Sequence, residues 1–292
     1  MVGRKYPDGE IPARHPVPSS SFTHVVSRQV RRLTATVTRE GGRRVPAFPQ
    51  DMALRWQAGP VAEFSDALKS FIAGSPRSRG PHITFLQTAA QELAPGANLL
   101  DVGAGDAPYR ELFSHLDYVT CDWENTQYEP AVPSDISGNA DSIPVPDASF
   151  DAILNTQVLE HVPEPGRVLD EFWRVLRPGG RLWISAPLVW YLHEEPHDYY
   201  RYTPHGLRYL LEKARFVDVD ITPLNDAFST VAQLMADLGW MMGRHTDGHD
   251  PEREVIAGTM AAFADVVANF APYDAQWIFP INYAVRATKP TG

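Results

Sequence analysis

Leu99-Leu100-Asp101-Val102-Gly103-Ala104-Gly105-Asp106-Ala107-Pro108-Tyr109 is a short apolar run that ends in an acid and is followed by two glycines one residue apart. A helical pattern begins at Glu111-Leu112-Phe113. Strand, tight turn and helix in that order predict a buried parallel strand whose following helix turns its N-terminus toward a ligand. Glycines at such a turn let the backbone approach the ligand closely and take φ angles that other residues resist. The dinucleotide fingerprint G-x-G-x-x-G fits Gly103 and Gly105 but meets Pro108 at its third glycine, which disfavours a nicotinamide-dependent oxidoreductase.

Outward from this turn, strands alternate with helices. Asn98–Val102 is the first strand and Pro108–Leu116 a helix. Asp117–Cys121 is the second strand, ending in Asp122, and a third lies near Asp135–Ser137. Phe150–Asn155 is the fourth, Pro165–Val175 a helix, and Arg181–Ser185 the fifth, entered through the turn Arg177-Pro178-Gly179-Gly180. Thr203–Ala214 is a helix, Phe216–Ile221 the sixth strand and Ile278–Thr288 the last. This alternation predicts an α/β fold, a doubly wound, mostly parallel, seven-stranded, Rossmann-like sheet. Right-handed crossovers put the strands' C-terminal ends on one edge, where the ligand crevice lies. Residues 51–96 read as an N-terminal helical extension over one end of the sheet, with helices at Ala53–Phe71 and Ile83–Leu93. Residues 97–292 form the main domain, with 224–276 a helical insertion before the last strand. Its two helices, Asn225–Gly243 and Pro251–Ala271, are joined by the polar run 244–250. Residues 1–50 are rich in Pro, Ser, Arg and Thr and read as a flexible basic arm.

Composition narrows the function classes. Of 292 residues 43% are hydrophobic and 21% charged, a balance that suits a packed globular domain rather than a disordered chain. The net charge of −10 divides into +6 over residues 1–44 and −16 over the remainder, so no nucleic-acid partner is expected for the body. Cys121 is the only cysteine, which excludes an internal disulfide and fits the cytoplasm. No apolar run is long enough for a membrane span, and no signal-peptide h-region opens the chain.

Read together, several strand ends resemble the class I S-adenosylmethionine (SAM) methyltransferases, in particular the methyltransferase-domain group that includes ubiquinone-biosynthesis enzymes. The matching residues are Asp101-Val-Gly-Ala-Gly105, Asp122, Ala140-Asp141-Ser-Ile-Pro144-Val-Pro-Asp147-Ala-Ser-Phe150-Asp151, Val158-Leu-Glu160-His161-Val162 and Arg174-Val-Leu-Arg-Pro178-Gly179-Gly180, within about residues 97–222 plus the last strand. The resemblance implies SAM as cofactor. Its cationic sulfonium and α-ammonium suit carboxylates and carbonyls, so Asp101, Gly103 and Gly105 are read as binding it. Asp122 is positioned to take both ribose hydroxyls, and Trp123 to lie on the adenine. Asn139, Ala140 and Asp141 stand where the group recognises the adenine edge; Asn139 replaces the usual Asp, and whether it or Asp141 makes the contact is open. Asn155 and Gln157 are expected at the methionine end.

Across the crevice, Trp190-Tyr191-Leu192-His193-Glu194-Glu195-Pro196-His197-Asp198-Tyr199-Tyr200-Arg201-Tyr202 reads as an acceptor-binding loop. His193-Glu-Glu-Pro196-His197 spells a zinc-protease motif, but that motif needs a helix and Pro196 would break it. In some relatives of the resembled group a Glu-x-x-Glu-His run helps hold a divalent metal. Here Gln157 stands for the first Glu, with Glu160, His161 and His193 to follow. No metal is assigned, and Glu160-His161 is read as a locally bonded helix start. The expected activity is O-methylation of a small molecule or sugar hydroxyl, with His197, then His193, then His161 as base candidates. A non-catalytic SAM-fold binding module is the alternative. The expected partner is a small-molecule acceptor, a sugar or glycan among them, and Trp240-Met241-Met242 on the insertion make a homodimer a candidate assembly.

Overall fold

β1 (Asn98–Val102) is buried along nearly its whole length, as an apolar strand flanked on both faces must be. A computed structural model describes residues 64–123, 133–244, 251–274 and 278–292. The expected N-terminal arm, the start of the helix expected from Ala53, and most of the polar run 244–250 lie outside the described residues.

The other strands are β2 (Asp117–Asp122), β3 (Ile136–Ser137), β4 (Phe150–Thr156), β5 (Leu176–Pro187), β6 (Val217–Pro223) and β7 (Asn282–Thr288). They form one seven-stranded sheet in the order β3-β2-β1-β4-β5-β7-β6. β1 to β5 pair in parallel, whereas β7 runs antiparallel between β5 and β6. The order reverses at β1, so the ends of β1, β2 and β4 open the crevice that such sheets use for ligands.

Helices cover both faces. α1 (Asp66–Ala73) and α2 (Pro76–Glu92) belong to the first face, where Ile83, Phe85, Leu86 and Ala89 of α2 join Leu99, Leu154, Trp183 and Ala284 of the sheet. The expectation that these helices cover one end of the sheet is therefore corrected: their apolar residues are buried on its face. On the other face α3 (Pro165–Val175) and α4 (Pro204–Lys213) bring Val168, Leu169, Phe172, Leu207 and Leu211 against Leu100, Ile153, Leu182 and Val285. α4 has the bounds its sequence implies: Pro204 opens it and the Thr203 hydroxyl accepts from Gly206 N at 3.1 Å. The insertion is an antiparallel pair, α5 (Ala227–Arg244) and α6 (Pro251–Ala268), between β6 and β7. Its root is tied by Ile281 N to Asn225 Oδ1 at 2.9 Å and Ala227 N to Asp274 Oδ2 at 2.7 Å.

Several expected elements differ: α1 starts at Asp66 behind a Ser65 N-cap, β5 starts at Leu176 and takes in the expected turn 177–180, and β7 starts at Asn282 instead of Ile278. The helix predicted from Pro108 to Leu116 is only a short 3-10 turn, Arg110–Phe113. Ala107 takes a φ of +48°, and the amides of Ala107, Arg110, Leu112 and Leu116 bond carbonyls three residues back, which keeps the segment in tight turns. The ligand edge is thus built of turn amides rather than a long helix N-terminus. α2 in turn starts at Pro76, seven residues before the expected Ile83, and contains Pro81. Among the described residues, no helix is long and apolar enough to cross a membrane.

Candidate cofactor and acceptor site

The glycine turn has the geometry that its sequence asks for. Gly103 has a φ of +74°, and a Cβ built there would meet Val158 Cγ2 at 2.3 Å, so only glycine fits between β1 and the segment after β4. Gly105 has a φ of +52° with open space around it, and its N–H donates to Asp122 Oδ2 at 2.7 Å. Asp122 ends β2 and also accepts from Trp123 N through Oδ1 at 2.8 Å. Each carboxylate oxygen keeps a further lone pair for a ligand.

Asp101 is 2% exposed, accepts a hydrogen bond from the Tyr118 hydroxyl, and leaves Oδ1 without a partner. Burial raises its carboxyl to about pH 7, which the Tyr118 bond opposes and the Asp122 charge reinforces. A buried acid with an unused oxygen fits a cationic ligand group. Together with the glycine backbone and Asp122 it suits SAM, which carries its charge on sulfonium and ammonium and has no pyrophosphate to cradle.

The remaining cofactor candidates separate. Trp123 is 44% exposed. Asn139 is exposed, Ala140 is half-buried against the core, and Asp141 lies 4.0 Å from the Arg167 guanidinium. Asn155 is fully buried, its Nδ2 donates to Val102 O at 2.9 Å at the glycine turn, and its Oδ1 has no hydrogen-bond partner. Gln157 sits just past β4 with a φ of +57°. Its amide nitrogen reaches Ser185 Oγ at 3.1 Å and His82 Nε2 at 3.4 Å.

The aromatic loop after β5 contains no helix, so the zinc-protease spacing is not realised. Instead it is strapped to the segment after β4. Tyr199 N and Tyr200 N both donate to Glu160 O, the Tyr200 hydroxyl to Pro163 O, and the Tyr202 hydroxyl to Leu159 O. Arg201 closes the loop on itself with a bidentate grip on Asp198, at 2.6 and 2.9 Å, while donating to Tyr191 O. That grip and the His193 N–H hold the Asp198 carboxyl down to about 2, against the opposing effect of burial.

The three histidines are brought to one side of the crevice. His161 and His193 touch edge to face with ring centroids 4.7 Å apart. His161 Nδ1 lies 2.7 Å from His197 O, and His193 Nδ1 lies 3.1 Å from Tyr191 O. Carbonyls only accept, so each ring carries a proton on Nδ1, and His161 Nε2 lies 3.6 Å from Glu194 Oε2 and 3.9 Å from Glu160 Oε1. Burial, with the neighbouring His161, moves the His193 imidazole below its ordinary value. His197 packs its ring on Trp123, centroids 5.1 Å apart, linking the loop to the end of β2.

Glu160 is fully buried, and neither carboxylate oxygen has a hydrogen-bond partner. Burial raises its carboxyl to about pH 8. Donor atoms of Glu160, His161 and His193 all lie within 4.8 Å of one another, a set that could hold a metal ion. Gln157, the fourth residue of the considered set, spends its amide nitrogen on Ser185. His82, Ser185 and Arg201 had no role assigned from the sequence. Arg201, beside an acid three residues away, was the one with a local signal.

A doubly wound sheet with β7 reversed, a two-glycine turn after β1 and an acid at the end of β2 make the chain similar to class I SAM-dependent methyltransferase domains. Residues 100–184 match the methyltransferase domain family. An uncharacterized methyltransferase from Mycobacterium sp. (strain KMS) is 34% identical over 116 residues, 37% of this chain and 46% of the relative. Demethylmenaquinone methyltransferase of Paenarthrobacter aurescens (strain TC1) is 34% identical over 111 residues, 34% of this chain and 44% of that enzyme. These matches span less than half the length of either relative. Among solved structures, the [4+2]-cyclase SpnF aligns with 73% of this chain and 81% of its own, at 23% identity and a TM-score of 0.49.

Proposed function

We propose that the chain is a SAM-dependent methyltransferase acting on an oxygen of a small-molecule acceptor, a sugar hydroxyl among the candidates. The observation that supports this best is the pair His161 and His193, whose rings pack together with Nδ1 tied to backbone carbonyls of the aromatic loop. A hydroxyl acceptor must lose its proton as it is methylated, and a neutral imidazole near working pH is suited to take it. Bound SAM would supply a methyl carbon already activated by the sulfonium. Asp101, the Gly103–Gly105 backbone, Asp122, Trp123 and Asn139 would hold it, while the Arg201-braced loop orients the acceptor and excludes water. We assign the base to His161 and His193 in preference to His197, because the His197 ring is packed on Trp123.

A second reading is favoured by Glu160. A buried carboxyl group whose oxygens lack hydrogen-bond partners, with ring nitrogens of His161 and His193 within 4.8 Å, would be relieved by a divalent cation, which would then acidify the acceptor hydroxyl. A reducing cytoplasmic setting is proposed from the single free thiol, Cys121. Exposed Leu238 and Trp240 on α5 support a homodimer.

Calorimetry with SAM, S-adenosylhomocysteine and NAD is the first test, and binding of neither sulfur nucleotide would overturn the proposal. Methyl transfer to a panel of hydroxylated acceptors is the second. Loss on His161→Ala or His193→Ala exceeding that on His197→Ala is expected, and the reverse order would return the base to His197.

A further inference from the structure

His82 takes no part in the proposed chemistry, yet it is among the most completely enclosed polar groups of the described residues. It lies on α2, ahead of the segment that matches the family, and is 2% exposed. Its Nδ1 is 2.8 Å from Ser78 O, and its Nε2 is 3.1 Å from Ser185 Oγ near the end of β5. Gln157 completes the series, its amide nitrogen 3.1 Å from the same Ser185 oxygen and 3.4 Å from His82 Nε2 itself, both of which only a donating NH2 can satisfy.

The direction of every bond follows from one end. Ser78 O only accepts, so the ring proton sits on Nδ1. Burial holds the imidazole pKa down to about 4, so at working pH the ring carries no second proton and Nε2 must accept. The Ser185 hydroxyl then donates to Nε2, and its oxygen is left to accept from Gln157. The Gln157 group turned inward must therefore be the NH2, and Oε1 is turned away from the network. Amide orientations are ordinarily ambiguous; here the tautomer of a distant histidine decides one. The backbone is pinned as well, since Gln157 N donates to Ser185 O at 2.9 Å despite its φ of +57°.

We propose that His82 is a positioning residue that, through Ser185, fixes the Gln157 amide with its carbonyl oxygen toward the crevice, where it faces the cationic sulfonium end of the methyl donor. The proposal rests on the methyltransferase reading and on Gln157 bordering the methionine end. A carbonyl dipole favours a sulfonium, and a flipped amide would oppose one. The network thus makes the site prefer SAM over its neutral thioether product, and helps that product to leave.

Two measurements on the full chain test this. A long-range 1H–15N spectrum of the wild type should show the His82 ring protonated at Nδ1 alone; a proton at Nε2 breaks the chain of donors and overturns the proposal. Calorimetry with SAM and S-adenosylhomocysteine should then show SAM affinity falling about tenfold in Ser185→Ala, the scale of one aligned hydrogen bond, with S-adenosylhomocysteine changing less than about twofold. Ser185→Thr, which keeps the hydroxyl, should restore the ratio. His82→Leu, which breaks the relay one step further back, should shift it as Ser185→Ala does and serves if that variant does not fold. Equal weakening of both nucleotides would mean a merely structural role and would overturn the proposal. Failure of the wild type to bind either nucleotide overturns the methyltransferase reading itself, whereas binding with an unchanged ratio in the variants overturns only the role of His82.

Discussion

Gly103→Ala probes the turn on which the cofactor site depends, and its effect can be worked from two separable contributions. The first is conformational: at a φ of +74° an L-residue is strained by about 1–2 kcal/mol. The second is steric. The new Cβ would lie 2.3 Å from Val158 Cγ2 and 2.9 Å from Cγ1, so Val158 or the turn must move, at an overpacking cost of about 1–3 kcal/mol. The sum is about 2–5 kcal/mol of stability. Gly105→Ala is the control, because at a φ of +52° no atom lies within 4 Å of its Cβ and only the conformational part applies, about 1 kcal/mol. Urea unfolding of both variants, with SAM calorimetry beside it, reads the difference. Adding Val158→Ala removes both clashing methyls, so a double-mutant cycle should return a favourable coupling of about 1–3 kcal/mol between positions 103 and 158. Equal midpoints for the two glycine variants, or a cycle with no coupling, would refute the claim that β1 and the segment after β4 meet at a glycine-only contact.

Other outcomes follow from the same site. Asp101 holds its proton to about pH 7 in the fold but only to 3.8 when unfolded, so the fold binds more protons between those values and stability should fall as pH rises through that window. SAM affinity should move oppositely, rising as Asp101 ionises; Asp101→Asn should flatten both profiles, and parallel slopes in the wild type would count against the assignment. Asp122→Ala should weaken SAM and S-adenosylhomocysteine alike, by about tenfold or more, as read by calorimetry, since the ribose is common to both. Chelation followed by activity assay divides the two catalytic readings: undiminished methyl transfer supports histidine acting alone, whereas loss restored by a divalent cation, and not restored in Glu160→Gln, supports the metal-assisted form.

Local chemistry made much of the fold legible. The period of the apolar runs and the Pro and Gly punctuation predicted all seven strands, α3 at its observed bounds and α4 to within one residue at each end, because these signals depend on near neighbours alone. The 3-10 turn after the glycines escaped prediction because a positive φ at Ala107 is imposed by its surroundings, not by alanine. The first seven residues of α2 escaped because Pro81 argues locally against a helix, while Ile83, Phe85, Leu86 and Ala89, which were read as helical, are held by burial against the sheet.

The sequence by itself determined the class of site: a glycine turn and acids at two strand ends, each spaced along the chain in a way that topology turns into one crevice. Only the tertiary structure decided how the individual groups are used. Asn155 and Gln157 are two residues apart, yet one is buried beneath β1 and the other is held from α2 and β5. His193 and His197 read as equivalent, but one ring meets His161 and the other Trp123. Strand periodicity tells which residues point to a face, whereas the partner across that face comes from chain far away in sequence. Tautomers, amide orientations and buried charges are set by those partners.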